Sequence, residues 1–147
     1  MKAAGAALLL LVAAPAGCLT GSGGECSSDG DCAAGGVCTR TDECVPAGSA
    51  IRVVVRWTVN GQAPTTSRPE PCAEVGELEV IFRDPGGRPE SYRPVPCDLG
   101  QTVYDKMPPR FESVEVRAMD RSGDLLASAR EDLASRGETA VQVDLSF

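Results

Sequence analysis

The chain contains no histidine in 147 residues. That removes the commonest general base, the usual partner of a serine or cysteine nucleophile, and the commonest metal ligand. Lysine occurs only at Lys2 and Lys106, and acidic side chains outnumber basic ones 21 to 14, for a formal charge of −7. Nucleic acid and anionic lipid surfaces attract Lys/Arg clusters, so neither is expected to be held by charge, and nucleic acid is not expected as a partner. Aromatic residues make up 4% of the chain, with one tryptophan, Trp57. No apolar run reaches the roughly 20 residues that a helix needs to cross a bilayer. Phosphate-cradling glycine loops and a Gly-x-Ser-x-Gly elbow are also missing. The many carboxylates show no spacing that singles out an acid/base pair. No enzyme is expected, with no catalytic, cofactor-binding or metal residues and no cofactor. A carboxylate-based hydrolase is the enzymatic alternative, and it would need two acids paired in a cleft.

What the chain does have begins at its N-terminal end. Lys2 precedes an apolar stretch over residues 3–14, and Ala16 and Gly17 stand just before Cys18. A positive start, a short apolar core and small residues at a cut site are the parts of an export signal. The run Pro15-Ala16-Gly17-Cys18 resembles the lipobox of bacterial lipoprotein precursors, with Pro15 where that family usually has leucine. The resemblance implies cleavage before Cys18, a thioether-linked lipid on its sulfur, and a membrane partner through that lipid. Leu19, where an aspartate would resemble an inner-membrane retention signal, favours the outer membrane as the location in the cell envelope. An ordinary cut after Ala14-Pro15-Ala16 is the alternative. It would give a secreted, soluble protein with a free Cys18 thiol.

Cysteine parity bears on this choice. The seven cysteines are Cys18, Cys26, Cys32, Cys38, Cys44, Cys72 and Cys97. An odd cysteine in an exported chain is either bonded to another molecule or used for something else. Lipidation of Cys18 would use the odd one and leave six for three disulfides. With residues 1–17 removed as a signal peptide, residues 18–25 form a Gly/Ser-rich tether whose flexible part reaches about 15 Å.

Residues 26–44 form a cysteine-rich module with the spacing C-x5-C-x5-C-x5-C. Between its first and last cysteine, Val37 is the only aliphatic residue larger than alanine, so cross-links must hold it together. Four cysteines permit three pairings, and sequence alone does not decide among them. Cys26 with Cys38 and Cys32 with Cys44 is the pairing we expect, because interleaved bonds constrain so short a segment most. Zinc would want closer cysteine pairs and a reducing compartment. Calcium could use Asp29, Asp31, Asp42 and Glu43, but the cysteines interrupt any EF-hand register, so turn formation is the expected role of these acids. The run Cys26-Ser-Ser-Asp-Gly-Asp-Cys-Ala-Ala-Gly-Gly-Val-Cys38 resembles the short cysteine-rich repeats of bacterial surface lipoproteins. That resemblance implies a spacer or interaction role.

Residues 45–50 read as a linker, and residues 51–147 as the main domain. Ile51, Val53, Val55, Trp57 and Val59 alternate with Arg52, Arg56 and Thr58 as a first strand. Asn60-Gly61 is a turn signal, and the loop at 62–71, with Pro64, Pro69 and Pro71, is exposed. Further strands are expected around Leu78–Phe82, at a proline-bounded edge near Tyr92 and Val95, over 101–104, 111–119 and 125–130, and over 141–147 with Phe147 facing inward. Seven short alternating strands and no helix predict an all-β, single antiparallel β-sandwich. Cys72 and Cys97 should pair within it. Trp57 falls in phase with the apolar face, which predicts a core position; an exposed tryptophan could instead stack on a sugar. The segment from Met107 to Ala127 resembles the prealbumin-like, carboxypeptidase regulatory-like β-sandwiches, with Arg110-Phe111 where that family usually has Gly-x-Tyr. That resemblance implies a fold and no shared active site. The expected function is a non-catalytic structural or interaction role in the cell envelope. The alternative is a glycan- or peptide-binding module whose loops at one end of the sandwich, 62–71 among them, meet an envelope protein or glycan.

Overall fold

The computed structural model describes residues 25–86, 88–133 and 137–147. The expected signal peptide, Cys18 and most of the tether lie outside the described residues. Those residues hold nine strands and only three-residue 3-10 turns beside them. Seven strands build the sandwich: β3 (Ile51–Val59), β4 (Glu77–Arg83), β5 (Pro89–Val95), β6 (Gln101–Met107), β7 (Ser113–Met119), β8 (Leu125–Asp132) and β9 (Glu138–Leu145). The other two, β1 (Gly36–Cys38) and β2 (Cys44–Pro46), form a small antiparallel hairpin in the cysteine module. The sandwich has the seven strands expected of it, and the cysteine module adds two more, nine among the described residues. A three-residue strand is too short to show alternation, so these two had no periodic signal.

The sandwich has a three-stranded sheet in the order β6-β3-β9 and a four-stranded sheet in the order β5-β4-β7-β8. All neighbours are antiparallel except β3 and β9, which run parallel from Arg52↔Glu138 to Val59↔Leu145. This corrects the expectation of a purely antiparallel fold. After β8 the chain leaves one sheet and enters the other beside the start of β3, so β9 must run in the direction of β3. Side-chain alternation has the same period whichever way a strand runs, so the sequence pattern carried no sign of it.

Alternation does dictate the core. Ile51, Val53, Val55, Trp57 and Val59 of β3 face Leu78, Val80 and Phe82 of β4 and Val114, Val116 and Ala118 of β7, all buried. Burying each large aliphatic or aromatic side chain contributes about 1.5–3 kcal/mol. Phe82 sits at the centre of an aromatic cluster, with ring centroids 4.9 Å from Tyr104, 5.6 Å from Phe111 and 5.9 Å from Tyr92. In β9, Val141, Val143 and Leu145 point inward, but the strand ends there and Phe147 is exposed, against the sequence expectation. Its backbone N–H instead donates to the Asn60 side chain at 3.1 Å.

The outward faces are largely self-satisfied. On the four-stranded sheet, Glu115 accepts from Arg83 at 2.8 Å and from Arg117 at 2.6 Å, and Ser91 donates to Glu79. Long charged side chains can cover apolar surface with their stems, and Ile81 is buried in the middle of this face. Burial works to raise the Glu115 carboxyl, but the Arg117 and Arg83 guanidinium groups outweigh it and hold it below the ordinary range. On the opposite sheet, Arg52 bridges Asp105 at 2.9 Å and Glu138 at 3.0 Å. The features that distinguish this sandwich lie at its two ends.

Candidate interaction surface

The starts of β3, β5, β7 and β9 lie at one end, which the cysteine module caps. Its disulfides join Cys26 to Cys38 and Cys32 to Cys44, and a third joins Cys72 to Cys97 in the sandwich. The turn between β1 and β2 is closed by Thr39, whose hydroxyl donates to the Glu43 carbonyl at 3.0 Å. Asp31 accepts from the backbone N–H groups of Ser27 and Ser28 at 2.9 and 2.8 Å. Asp29 accepts from the Cys38 N–H at 3.0 Å. Asp31 thus caps the turn Asp29–Asp31, and Asp29 ties that turn to β1. The sulfurs of Cys26, Cys32 and Cys44 lie within 4.8 Å of one another. All three are consumed in disulfides, so they offer no thiolate to zinc.

The module is docked on the sandwich. Lys106, the last lysine of the chain, holds Asp29 at 2.7 Å, and Arg110 holds Glu43 at 3.0 Å. The Arg40 N–H donates to the Lys106 carbonyl at 3.0 Å. The Arg40 guanidinium lies 5.6 Å from the ring centre of Tyr104 and 6.0 Å from that of Tyr92, within cation–π range. Tyr104 is almost completely buried, and its hydroxyl lacks a partner of hydrogen-bonding geometry among the described residues. Burial pushes the phenol up to about 12, with the Thr102 side chain opposing the rise. The stretch read as a linker, 45–50, carries the end of β2 and a 3-10 turn at Ala47–Ser49. The cysteine module therefore lies as an end cap over the aromatic cluster.

The Asp29 carboxyl is held below the ordinary carboxylate range, first by the Lys106 ammonium and next by the Cys38 N–H. A depressed acid stabilises the docked form above its unfolded value, and that contribution is lost as pH falls through the folded value. Docking should therefore be constant from neutral pH to about 4 and loosen only below it. The Arg40 amide chemical shift, followed from pH 7 to pH 2, checks this. Asp29→Asn should give the loosened shift at neutral pH and remove the transition; an unchanged titration would exclude the Asp29–Lys106 contact as a latch.

At the opposite end the loops are irregular yet tightly tied. The Trp57 indole N–H donates to the Cys97 carbonyl at 2.8 Å, and its backbone N–H donates to the Gly100 carbonyl at 3.1 Å. The Cys72–Cys97 bond joins the 3-10 turn Glu70–Cys72 to the turn Cys97–Leu99. Gly100 has φ +67, and a side chain there would collide with the Pro64 carbonyl, so loop 62–71 lies directly on the 97–100 turn. At Gly76 an added methyl would come within 2.6 Å of the Asp120 carbonyl, which brings the β3–β4 loop against the β7–β8 turn. Only glycine permits these two approaches.

Two open clefts lie between these loops and share Glu70 and Ala73. One, of about 410 Å³, is lined by Asn60, Gln62, Pro71, Glu74 and Phe147 as well. The other, of about 450 Å³, runs past Val75, Pro96, Asp98 and Arg121. The large hydrophobic side chains that are exposed among the described residues are Leu99, Leu125 and Phe147, at 48%, 60% and 43%, and all three are at this end. The carboxylates of Glu70, Glu74, Asp98 and Asp124 make no ion pair or side-chain hydrogen bond among the described residues. Arg68 and Arg121 are the basic groups of these loops.

Trp57, a core residue at 1% exposure, is covered and presents no face to a sugar. Loop 62–71 is exposed apart from Pro64, which is buried, and Pro71, which is half-buried. Sequence reasoning did not find Arg40, Lys106 and Arg110 as docking groups, nor Glu74, Asp98 and Arg121 as neighbours of loop 62–71. A lone glycine after a cysteine turn, as at Gly100, was the available sign that two loops meet. The chain matches no family model, and no curated protein or solved structure shows detectable similarity to it.

Proposed function

We propose that this chain is an exported, lipid-anchored protein of the cell envelope with a non-catalytic interaction role. The observation that carries the reading is that all six described cysteines are paired in disulfides. Disulfides form and persist outside the reducing cytosol. Their pairing also leaves Cys18 as the odd cysteine, with no partner of its own kind among the described residues. Thioether lipidation at Cys18, followed by a short tether, places the membrane next to the cysteine cap. The loop end then faces away, separated from the cap by strands of seven to nine residues, about 25–30 Å. An outer-membrane address and a prealbumin-like ancestry for the sandwich belong to this same reading.

Labelling of producing cells with radioactive palmitate tests it. The wild-type chain should carry label, Cys18→Ser should carry none, and globomycin should cause the unprocessed precursor to accumulate. Unlabelled mature protein in the medium would refute the anchor and favour the secreted alternative.

A second reading, a binding module for peptide or glycan, is favoured by the two clefts at the loop end. They are held open by a disulfide and by two glycine contacts, so little ordering is required when a ligand binds.

A further inference from the structure

We propose that the loop end is a docking site for a segment of a partner protein carrying lysine or arginine next to an aliphatic or aromatic side chain. The inference rests on the binding-module reading and names its class of ligand.

Three observations carry it. The exposed Leu99, Leu125 and Phe147 are gathered at one end of the sandwich, whereas isolated exposed hydrophobics usually scatter. The same end carries the unpaired acids Glu70, Glu74, Asp98 and Asp124 against the basic Arg68 and Arg121, an acidic excess that complements a cationic segment. On the outer sheet faces, by contrast, Arg83, Glu115, Arg117, Arg52 and Asp105 neutralise one another. The third observation is rigidity. Cys72–Cys97, the Trp57–Cys97 hydrogen bond and the contacts at Gly76 and Gly100 fix the cleft walls before any ligand arrives.

The chemistry separates this ligand from its rivals. A sugar is commonly met by an exposed tryptophan or tyrosine platform. Here Trp57 and Tyr104 are buried, and Arg40 lies over the Tyr92 ring. An anionic lipid surface would be repelled by the acidic rim. A basic side chain over Glu70, which borders both clefts, would leave its apolar neighbour against Pro71 and Phe147 in one cleft or Val75 and Pro96 in the other.

The test exposes the purified full chain to a phage-displayed library of random twelve-residue peptides, then maps the selected peptide by hydrogen exchange. Selected sequences should pair Lys or Arg with an apolar residue and protect residues 69–76, 96–99 and 121–125. The double variant Glu70→Gln/Glu74→Gln should weaken binding at least about tenfold and remove most of its salt dependence. Phe147→Ser, at an exposed site, should weaken it without altering the melting temperature. Enrichment of neutral or acidic peptides, protection elsewhere, or unchanged affinity in the Gln variants would overturn the proposal. So would binding to a glycan panel at this end, or self-association of the chain that Phe147→Ser abolishes. A failed palmitate labelling would leave this selection unaffected, so the two readings fail separately.

Discussion

Trp57→Ala should lower the free energy of unfolding by about 3–5 kcal/mol, the cost of emptying a large aromatic site in a core that cannot fully close. Trp57 is 1% exposed and spans the space between the two sheets near the loop end. Its loss also leaves the Cys97 carbonyl without the indole N–H that now meets it at 2.8 Å. A small domain has a total stability of about 5–15 kcal/mol, so the variant should be close to its folding limit at 37 °C. Urea unfolding followed by far-ultraviolet circular dichroism measures the change. Trp57→Phe separates the two contributions, because it refills most of the volume but cannot donate to Cys97. We expect it to cost about 1–3 kcal/mol and to loosen the 97–100 turn in particular. A cost below about 1 kcal/mol for the alanine variant would mean that Trp57 is not a core residue, and the sugar-stacking alternative would return.

Removing the Cys32–Cys44 bond with Cys32→Ala/Cys44→Ala should unfold the cap while the sandwich stays folded. A closed loop of this size contributes about 3 kcal/mol. The cap has no apolar core to offset that loss, since Val37 and Val45 are its only large aliphatic residues and neither is fully buried. Its ion pairs to the sandwich, Asp29–Lys106 and Glu43–Arg110, join partly exposed groups that water screens, so they do not make up for the lost cross-link. The readout is the ultraviolet titration of the two tyrosines. With the cap in place, burial holds Tyr104 at about 12 and also raises Tyr92. With the cap unfolded, both should titrate closer to the ordinary tyrosine value of about 10. Limited proteolysis should cut only within 26–46. Unchanged tyrosines, with proteolysis confirming an unfolded cap, would show that the cap contributes nothing to their burial.

The parts of the fold that follow from alternation were legible in the sequence. Ile51 to Val59 could be assigned to two faces because a strand gives consecutive side chains opposite surroundings, and β4, β7 and β9 followed the same rule. Direction was not legible, because β9 beside β3 has the same pattern whether parallel or antiparallel. The last inward residue also escaped: Phe147 keeps the phase of Val143 and Leu145, but the strand stops at Leu145, and the Asn60 side chain takes the next free N–H.

The ends of the sandwich were harder to read than its faces. Loop 62–71 could be recognised as exposed from its prolines. Its neighbours include Gly100, 36 positions after Pro64, and Phe147, 77 after Glu70, and local sequence does not encode that meeting. The cap illustrates the same limit. Its composition showed that cross-links must hold it, while its docking depends on Arg40 reaching Tyr92 and Tyr104, which lie 52 and 64 positions away.

Lipidation of Cys18 and the pairing of the six other cysteines can be read together by intact mass spectrometry of the protein purified from membranes. Measured before and after reduction, with thiol labelling, it should find a chain beginning at Cys18 with a diacyl- or triacylglyceryl addition. No thiol should be labelled before reduction, and six should be labelled after it. An unacylated chain beginning at Gly17, with one thiol open to labelling from the start, would contradict the anchor and make this a secreted protein.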